Sequence, residues 1–191
     1  MKVMVMVNNY NPIRNPYFPG WYLLADSAVT NTGKPFYLPD FAGKTEVSLT
    51  CAVRISRLGK SIEPKFASRY YSEYAPALHF TLPEYNDRLK ENDLPQDPSR
   101  SFDRSLFVGD FINITDLASF KLKINGEEKG EFNFGNLYRT IEDSLSDVTH
   151  LNTLKIGDLL VPGLSGFFEI KEGDFLEVVK GEERLFYVKV R

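Results

Sequence analysis

Residues 46–55 alternate apolar with small or polar side chains in the pattern of a β-strand. Because successive side chains of a strand point to opposite faces, one face of this segment is predicted to be apolar and the other polar. The apolar face consists of Val47, Leu49, Cys51, Val53 and Ile55, and the opposite face of Glu46, Ser48, Thr50 and Ala52. Ser48 and Thr50 are therefore expected to point the same way.

Other strands are predicted at both ends of the chain and in its middle. Apolar runs at residues 1–7 and 21–25 indicate two N-terminal strands, and residues 75–82 and 105–114 indicate two more. Asn125-Gly126 lies between two alternating segments and is a strong signal for a hairpin. The remaining predicted strands are residues 158–161, 175–180 and 185–191.

Two segments have the spacing of amphipathic helices. Aromatic side chains predict a short helix over residues 62–74, and apolar side chains predict a longer one over residues 137–151. Residues 83–104 carry no apolar pattern, and such a long irregular segment usually covers a site or is mobile. The whole pattern predicts a strand-dominated α+β fold with few short helices. We expect one domain over residues 1–191, with residues 1–45 packed on it as N-terminal strands and loops.

The composition is that of an ordinary globular chain. Of its 191 residues, 42% are hydrophobic and 26% charged, and the 15 Phe and 10 Tyr favour strands. A formal net charge of −3 gives no electrostatic reason to expect nucleic acid or an anionic membrane as partner. The single cysteine, Cys51, cannot form an internal disulfide, and the first apolar run is too short for a signal peptide or membrane span. We therefore expect a cytoplasmic protein without nucleic-acid or membrane partners.

The strand at residues 46–55 and five short motifs around it occur in a characteristic order. The motifs are Phe36-Tyr-Leu-Pro-Asp-Phe41, Phe66-Ala-Ser-Arg-Tyr-Tyr71, Phe102-Asp103, Asn125-Gly-Glu127 and Thr153-Leu-Lys-Ile-Gly-Asp-Leu-Leu160. In this order and spacing they resemble small single-domain bacterial members of the fumarylacetoacetate hydrolase family. The resemblance implies a mixed β-sheet roll or sandwich and a homodimer. It also implies hydrolase, isomerase or decarboxylase chemistry on a small oxo-acid, with Mg²⁺ or Mn²⁺ held by three carboxylates.

The positions that bind the metal in that family are changed in this chain. Ser48 and Thr50 stand where the resemblance places two glutamates, and His79 stands where it places an aspartate. Neutral hydroxyls and one imidazole suit a hard divalent cation poorly, so we expect no metal or other cofactor. Two alternatives stay open: a substitute metal site of His79 with Glu46 or Glu84, and a nucleophilic Ser48 with His79 as its base.

The positions that form the substrate pocket in the family are altered too. The resemblance places a polar residue at Ile13, a lysine at Leu24, and a threonine-glycine-threonine-proline loop at the segment that contains Leu164. Arg100 replaces a further lysine and keeps a positive charge that can bind a carboxylate through two hydrogen bonds. His79 and Arg100 are thus the candidate catalytic residues, and the expected ligand is a small carboxylate.

Three functional hypotheses follow from these departures. The first is a family member that has lost metal binding and catalysis and keeps the fold for binding or assembly. The alternative is an enzyme that acts on a small oxo-acid, such as an acylpyruvate or oxaloacetate, without a metal or with an atypical one. A third hypothesis is a structural interaction protein in which Ile13, Leu24 and Leu164 fill the former cavity.

Overall fold

The computed structural model describes residues 1–11, 20–115 and 117–191, and within them the chain forms thirteen strands and three α-helices. The helices are α1 (Pro64–Ala67), α2 (Pro83–Glu91) and α3 (Ile141–Leu151). The first seven strands are β1 (Val3–Val7), β2 (Gly20–Leu24), β3 (Val29–Asn31), β4 (Thr45–Ile55), β5 (Tyr71–Thr81), β6 (Leu106–Val108) and β7 (Ile112–Asn113). The others are β8 (Phe120–Ile124), β9 (Glu127–Phe132), β10 (Leu159–Val161), β11 (Phe168–Ile170), β12 (Phe175–Lys180) and β13 (Glu183–Lys189).

The strands form two sheets. The larger sheet has the order β2-β1-β10-β4-β5-β6-β3, with β11 also paired to β4 and β7 to β5. Its β1–β10 and β3–β6 pairs are parallel and the others antiparallel, whereas the smaller sheet, β13-β12-β8-β9, is antiparallel throughout. The predicted strand-dominated α+β class with a mixed sheet is confirmed.

The predicted alternation in β4 is confirmed by its burial. Val47, Leu49, Cys51, Val53 and Ile55 have no exposed surface and lie in an apolar core that also contains side chains of the smaller sheet and of α3. Each such side chain contributes roughly 1.5–3 kcal/mol through its removal from water. The opposite face of β4 carries Ala52 in a second, smaller apolar cluster. The two faces of β4 therefore divide the interior of the protein.

The hairpin and the second helix form where the sequence predicts them. Asn125 and Gly126 both have positive φ, as a two-residue hairpin turn between β8 and β9 requires. Helix α3 begins at Ile141, four residues later than the start predicted at residue 137. The reason is Thr140, whose side chain accepts a hydrogen bond from the Asp143 main-chain N–H and caps the helix.

The helix predicted over residues 62–74 is wrong beyond residue 70. Helix α1 ends at Ala67, a 3₁₀ turn follows at Ser68–Tyr70, and β5 already begins at Tyr71. Tyr71 pairs with Ile55 of β4 and Tyr74 pairs with Val53. These two aromatic residues, which were predicted to be helical, therefore belong to the strand ladder between β4 and β5. Aromatic side chains favour strands when a partner strand is available.

Residues 83–104 are not wholly irregular, contrary to the prediction. They contain α2 and a 3₁₀ turn at Asp97–Ser99. Pro83 occupies the first turn of α2, where its missing N–H costs nothing, and Leu89 is the only buried residue of that helix. With a single buried side chain, α2 has no apolar stripe that sequence periodicity could detect. In the described ranges, no helix is long and apolar enough to cross a membrane.

Candidate functional site

The register between β4 and β5 brings together Ser48, Thr50 and His79, the three positions that the sequence resemblance predicts to be former metal-ligand positions. Ser48 lies directly opposite His79, and Thr50 lies two residues further along the same face of β4. All three side chains are fully buried. The prediction that Ser48 and Thr50 point the same way is therefore correct, and His79 is their neighbour on the adjacent strand.

The two hydroxyl groups of β4 donate hydrogen bonds to the main chain of another segment. The Ser48 hydroxyl donates to the Gly166 carbonyl, and the Thr50 hydroxyl donates to the Gly163 carbonyl at 2.5 Å. A carboxylate has no proton to donate and could not make either contact. Serine and threonine at these positions thus match the carbonyl groups that face them.

The His79 ring is held on both nitrogens by protein groups. Its Nδ1 is 2.9 Å from the Ser105 carbonyl, which can only accept, so Nδ1 carries the proton. Its Nε2 is 2.7 Å from the Tyr22 hydroxyl oxygen and accepts a hydrogen bond from that hydroxyl group. Burial lowers the pKa of His79 to about 4, the Ser105 bond opposes this shift, and the charge of Arg100 adds to it. The imidazole is therefore neutral near pH 7.

Tyr22 on β2 joins His79 to Arg100. The Arg100 guanidinium lies over the Tyr22 ring, 5.1 Å from its centroid, and donates to Gln96 Oε1 at 3.0 Å. Burial raises the pKa of the Tyr22 hydroxyl, and the positive charge of Arg100 opposes that rise. Tyr22 was not predicted from the sequence. The available signal was indirect: a buried histidine needs two hydrogen-bond partners, but their positions depend on the sheet order.

A cavity of about 810 Å³ opens beside this group. Its described lining includes Tyr22 and Arg100, together with Asn86 of α2 and Leu164 and Phe167 of the segment after β10. Ser48, Thr50 and His79 are absent from the described lining. Ser48 and Thr50 are bonded to Gly166 and Gly163 of the segment that lines the cavity, and His79 is bonded to Tyr22, which also lines it. Four residues of the segment 83–104 line this cavity: Pro83, Asn86, Ser99 and Arg100.

The other predicted pocket positions separate from one another. Leu164 lines the cavity and is half-buried. Leu24 is 3% exposed and packs in the second apolar cluster with Leu106 and Val108, away from the described cavity wall. Ile13 lies outside the described residues. The described residues leave the cavity open beside Leu164.

The donor set at the former metal positions does not fit a hard divalent cation. Ser48 and Thr50 offer neutral hydroxyls already bonded to carbonyls, and both His79 nitrogens are engaged. Glu46 lies beside Lys44 and Glu169; burial raises its pKa, Glu169 adds to the rise, and Lys44 opposes it. Over residues 1–11, 20–115 and 117–191, no group of three or more His, Cys, Asp or Glu side chains is arranged to hold a metal ion. Both nitrogens that His79 would offer to a substitute site with Glu46 or Glu84 are bonded to protein groups.

A nucleophilic Ser48 also lacks its base. The hydroxyl that would need activation donates to Gly166, whereas the imidazole is bonded to Tyr22 and Ser105. A serine nucleophile requires a hydrogen bond to its base. Of the residues in this hydrogen-bonded group, Tyr22 and Arg100 line the cavity, and His79 lies behind Tyr22. Lys129 and Glu131 are further charged residues of the described lining.

Comparison with known proteins gives the same family that the sequence motifs suggested. The profile described as "Fumarylacetoacetate (FAA) hydrolase C-terminal" matches residues 4–181. The chain is 28% identical over 165 residues to rat mitochondrial oxaloacetate tautomerase FAHD1, which covers 83% of this chain and 75% of that protein. It is 22% identical over 170 residues to oxaloacetate tautomerase YcgM of Escherichia coli, covering 85% of this chain and 78% of that protein.

Solved structures show the same fold. A crystal structure from Yersinia pestis, described as that of a fumarylacetoacetate hydrolase family protein, superposes with a TM-score of 0.90 at 22% identity, covering 100% of this chain and 93% of that one. Fumarylpyruvate hydrolase from Pseudomonas aeruginosa, solved with Mn²⁺ and pyruvate, gives a TM-score of 0.88 at 20% identity, covering 100% of this chain and 88% of that one.

Proposed function

Since the chain belongs to the fumarylacetoacetate hydrolase family, we propose that it is an enzyme that moves a proton within a small oxo-acid without a bound divalent metal. The relatives with matching sequences are named as oxaloacetate tautomerases and an oxaloacetate decarboxylase. These names favour the enzymatic alternative over the non-catalytic interpretation of the sequence. The proposed reaction is the interconversion of the keto and enol forms of an oxaloacetate-like acid.

One observation carries this proposal: the Tyr22 hydroxyl is fixed 2.7 Å from His79 Nε2, under the guanidinium of Arg100, at the wall of the cavity. The arrangement puts a proton donor and a fixed positive charge side by side. A cation that stabilises an enolate can be a metal or a preorganised guanidinium. Arg100 can therefore supply the electrostatic stabilisation that a metal supplies in the family.

Arg100 binds the carboxylate of the oxo-acid and faces the charge that develops on the neighbouring carbonyl oxygen. A proton leaves the carbon beside the carbonyl and passes to a water molecule in the cavity, while the Tyr22 hydroxyl turns away from His79 Nε2 and gives its proton to the carbonyl oxygen. The phenolate left on Tyr22 then takes up the proton from that water. The keto form becomes the enol form with no net change in the protein, and Arg100 stabilises both anions on the way.

His79 acts through Tyr22 and is a positioning residue. Because its Nδ1 proton is donated to the Ser105 carbonyl, its Nε2 lone pair faces Tyr22 and orients the phenol. Its lowered pKa keeps the imidazole uncharged near neutral pH, so this lone pair stays available. Loss of His79 is expected to lower kcat while KM for the oxo-acid stays the same.

The test is the rate of enol-to-keto conversion of oxaloacetate, followed by enol absorbance in dilute buffer with EDTA and compared with the protein-free rate. We expect Tyr22→Phe to lower kcat by roughly 10²–10⁴-fold, the range for loss of a general acid. Tyr37→Phe is the matched control, since Tyr37 is 60% exposed and also lies under an arginine, Arg104, but away from the described cavity lining. Activity that needs added Mg²⁺ or Mn²⁺, or that Tyr22→Phe leaves intact, would overturn the proposal.

The second candidate is the non-catalytic binding protein predicted from the sequence. One observation favours it: the side-chain polar atoms of Ser48, Thr50 and His79 form hydrogen bonds with protein groups and do not face the cavity. Saturable binding of pyruvate that depends on Arg100, without conversion of any oxo-acid, would support this candidate against the enzyme. The homodimer and the cytoplasmic location stay predictions.

A further inference from the structure

The chain from β10 to β11 runs antiparallel to β4 along its whole length. Residues of β10 pair with Val53 and Arg54, and residues of β11 pair with residues 45–47. Residues 162–167 lie between these two pairings and form no strand of their own. Contact between this loop and the middle of β4 must therefore come from bonds other than a regular ladder.

Three hydroxyl groups make most of that contact. Ser48 and Thr50 donate from β4 to the carbonyl groups of Gly166 and Gly163. In the reverse direction, the main-chain N–H and the hydroxyl of Ser165 donate to the Leu49 carbonyl at 2.9 and 2.8 Å. The loop is thus attached at three successive positions of β4.

The loop is also held from its other side. The Asn9 side-chain amide donates to the Pro162 carbonyl at 2.7 Å. A Cβ added at Gly163 would lie 3.1 Å from side-chain atoms of both Leu137 and Tyr10, so a larger residue would require these neighbours to shift. Between these neighbours and β4, the carbonyl of Gly163 has little freedom except toward Thr50.

The loop separates the former metal positions from the cavity. Leu164, Ser165 and Gly166 line the cavity, while the hydroxyls of Ser48 and Thr50 are behind them and fully buried. An ionised glutamate at either β4 position would have no proton to donate to the carbonyl, so that bond to the loop would be lost. The substitution of hydroxyl groups and the position of the loop are therefore consistent with each other.

We propose that Ser48 and Thr50 form a hydroxyl clasp that positions residues 162–167 as the wall of the cavity, at the place where other family members are expected to hold a cation. This is a structural role for Ser48 and Thr50 that does not depend on catalytic turnover. It fixes where the ligand can lie, because Leu164 and its neighbours face the cavity only while the loop is attached to β4. The inference goes beyond the proposed function and can be tested without an active enzyme.

Hydrogen–deuterium exchange of the peptide that spans residues 162–167 measures the clasp directly. Ser48→Ala and Thr50→Val each remove one donor with little change in shape, and each is expected to speed exchange of the loop about fivefold, the effect of one net hydrogen bond. Thr45→Val is the matched control, because Thr45 is a buried β4 residue whose hydroxyl has no hydrogen-bond partner among the described residues. Thr50→Ser keeps the donor and should exchange like the unaltered protein.

Unchanged loop exchange in both Ser48→Ala and Thr50→Val would overturn the clasp, and so would equal acceleration in Thr45→Val. If Thr50→Val fails to fold, Ser48→Ala decides the question alone. Pyruvate affinity is the second readout, and we expect it to weaken in the clasp variants and to be restored in Thr50→Ser. No pyruvate binding by the unaltered protein would count against the proposed function, while the exchange data would still decide the clasp.

Discussion

The buried, neutral state of His79 makes a definite prediction for acid stability. Its pKa is lowered to about 4 from the ordinary 6.5, mainly by burial. The unfolded chain therefore binds a proton at a higher pH than the folded chain, and stability falls as the pH drops. The slope approaches about 1.4 kcal/mol per pH unit between these two values, for a total of roughly 3 kcal/mol. This contribution to stability is fully present above the pKa of His79 in the unfolded chain. It is lost progressively as the pH falls from that value to the pKa of His79 in the folded protein.

Urea unfolding between about pH 7 and pH 4, followed by the fluorescence of the single tryptophan, Trp21, measures this loss. The unaltered protein should lose roughly 3 kcal/mol more than His79→Gln over that range. The chain has two histidines, and His150→Gln is the control because His150 is exposed. Carboxyl groups such as Glu46, whose raised pKa acts with the opposite sign, are common to all variants and cancel in the comparison. Equal pH slopes for the unaltered protein and His79→Gln would refute the reasoning.

Three further predictions concern the core, a buried ion pair and metal ions. Phe80→Ala should lower the free energy of unfolding by about 3–5 kcal/mol, because Phe80 is fully buried and stacks on Phe36. The control is Phe41→Ala, at a 65% exposed position, which should cost about 1 kcal/mol or less in the same urea titration. Asp158→Asn should cost about 1–3 kcal/mol, because the carboxylate accepts from the main chain and the ammonium of Lys2; an unchanged urea midpoint would contradict this. Mg²⁺, Mn²⁺ or EDTA should leave the thermal midpoint unchanged, because the hydroxyl and imidazole donors fit these cations poorly, and a rise that grows with metal concentration would show a site.

The parts of the fold that follow from local pattern could be predicted. The two faces of β4, the Asn125-Gly126 hairpin and the body of α3 depend on side chains within one segment, so periodicity and turn chemistry identify them. Helix α2 could not be found in this way, because it buries one side chain. The boundary between α1 and β5 was misplaced for a related reason: pairing with β4 outweighs the local helical spacing.

The candidate site was predicted in part. Sequence motifs identified the family. The three changed metal-ligand positions and carboxylate binding by Arg100 stay predictions. The motifs did not identify Tyr22, which is 57 residues from its partner His79. The two residues lie on β2 and β5 of the larger sheet, with three strands between them in the strand order, so only the folded sheet brings them together. The motifs also gave no indication that Arg100 would lie over the Tyr22 ring.

The sequence by itself determined that Ser48 and Thr50 share one face of a strand and lack the charge to bind a hard cation, because side-chain direction and chemistry are local properties. Only the tertiary structure decided what these hydroxyls do instead. Their acceptors, the carbonyls of Gly166 and Gly163, lie 118 and 113 residues further along the chain and carry no side chain that a pattern could reveal. Which main-chain groups meet across such distances is fixed by strand register and loop path, and these exist only once the sheet has formed.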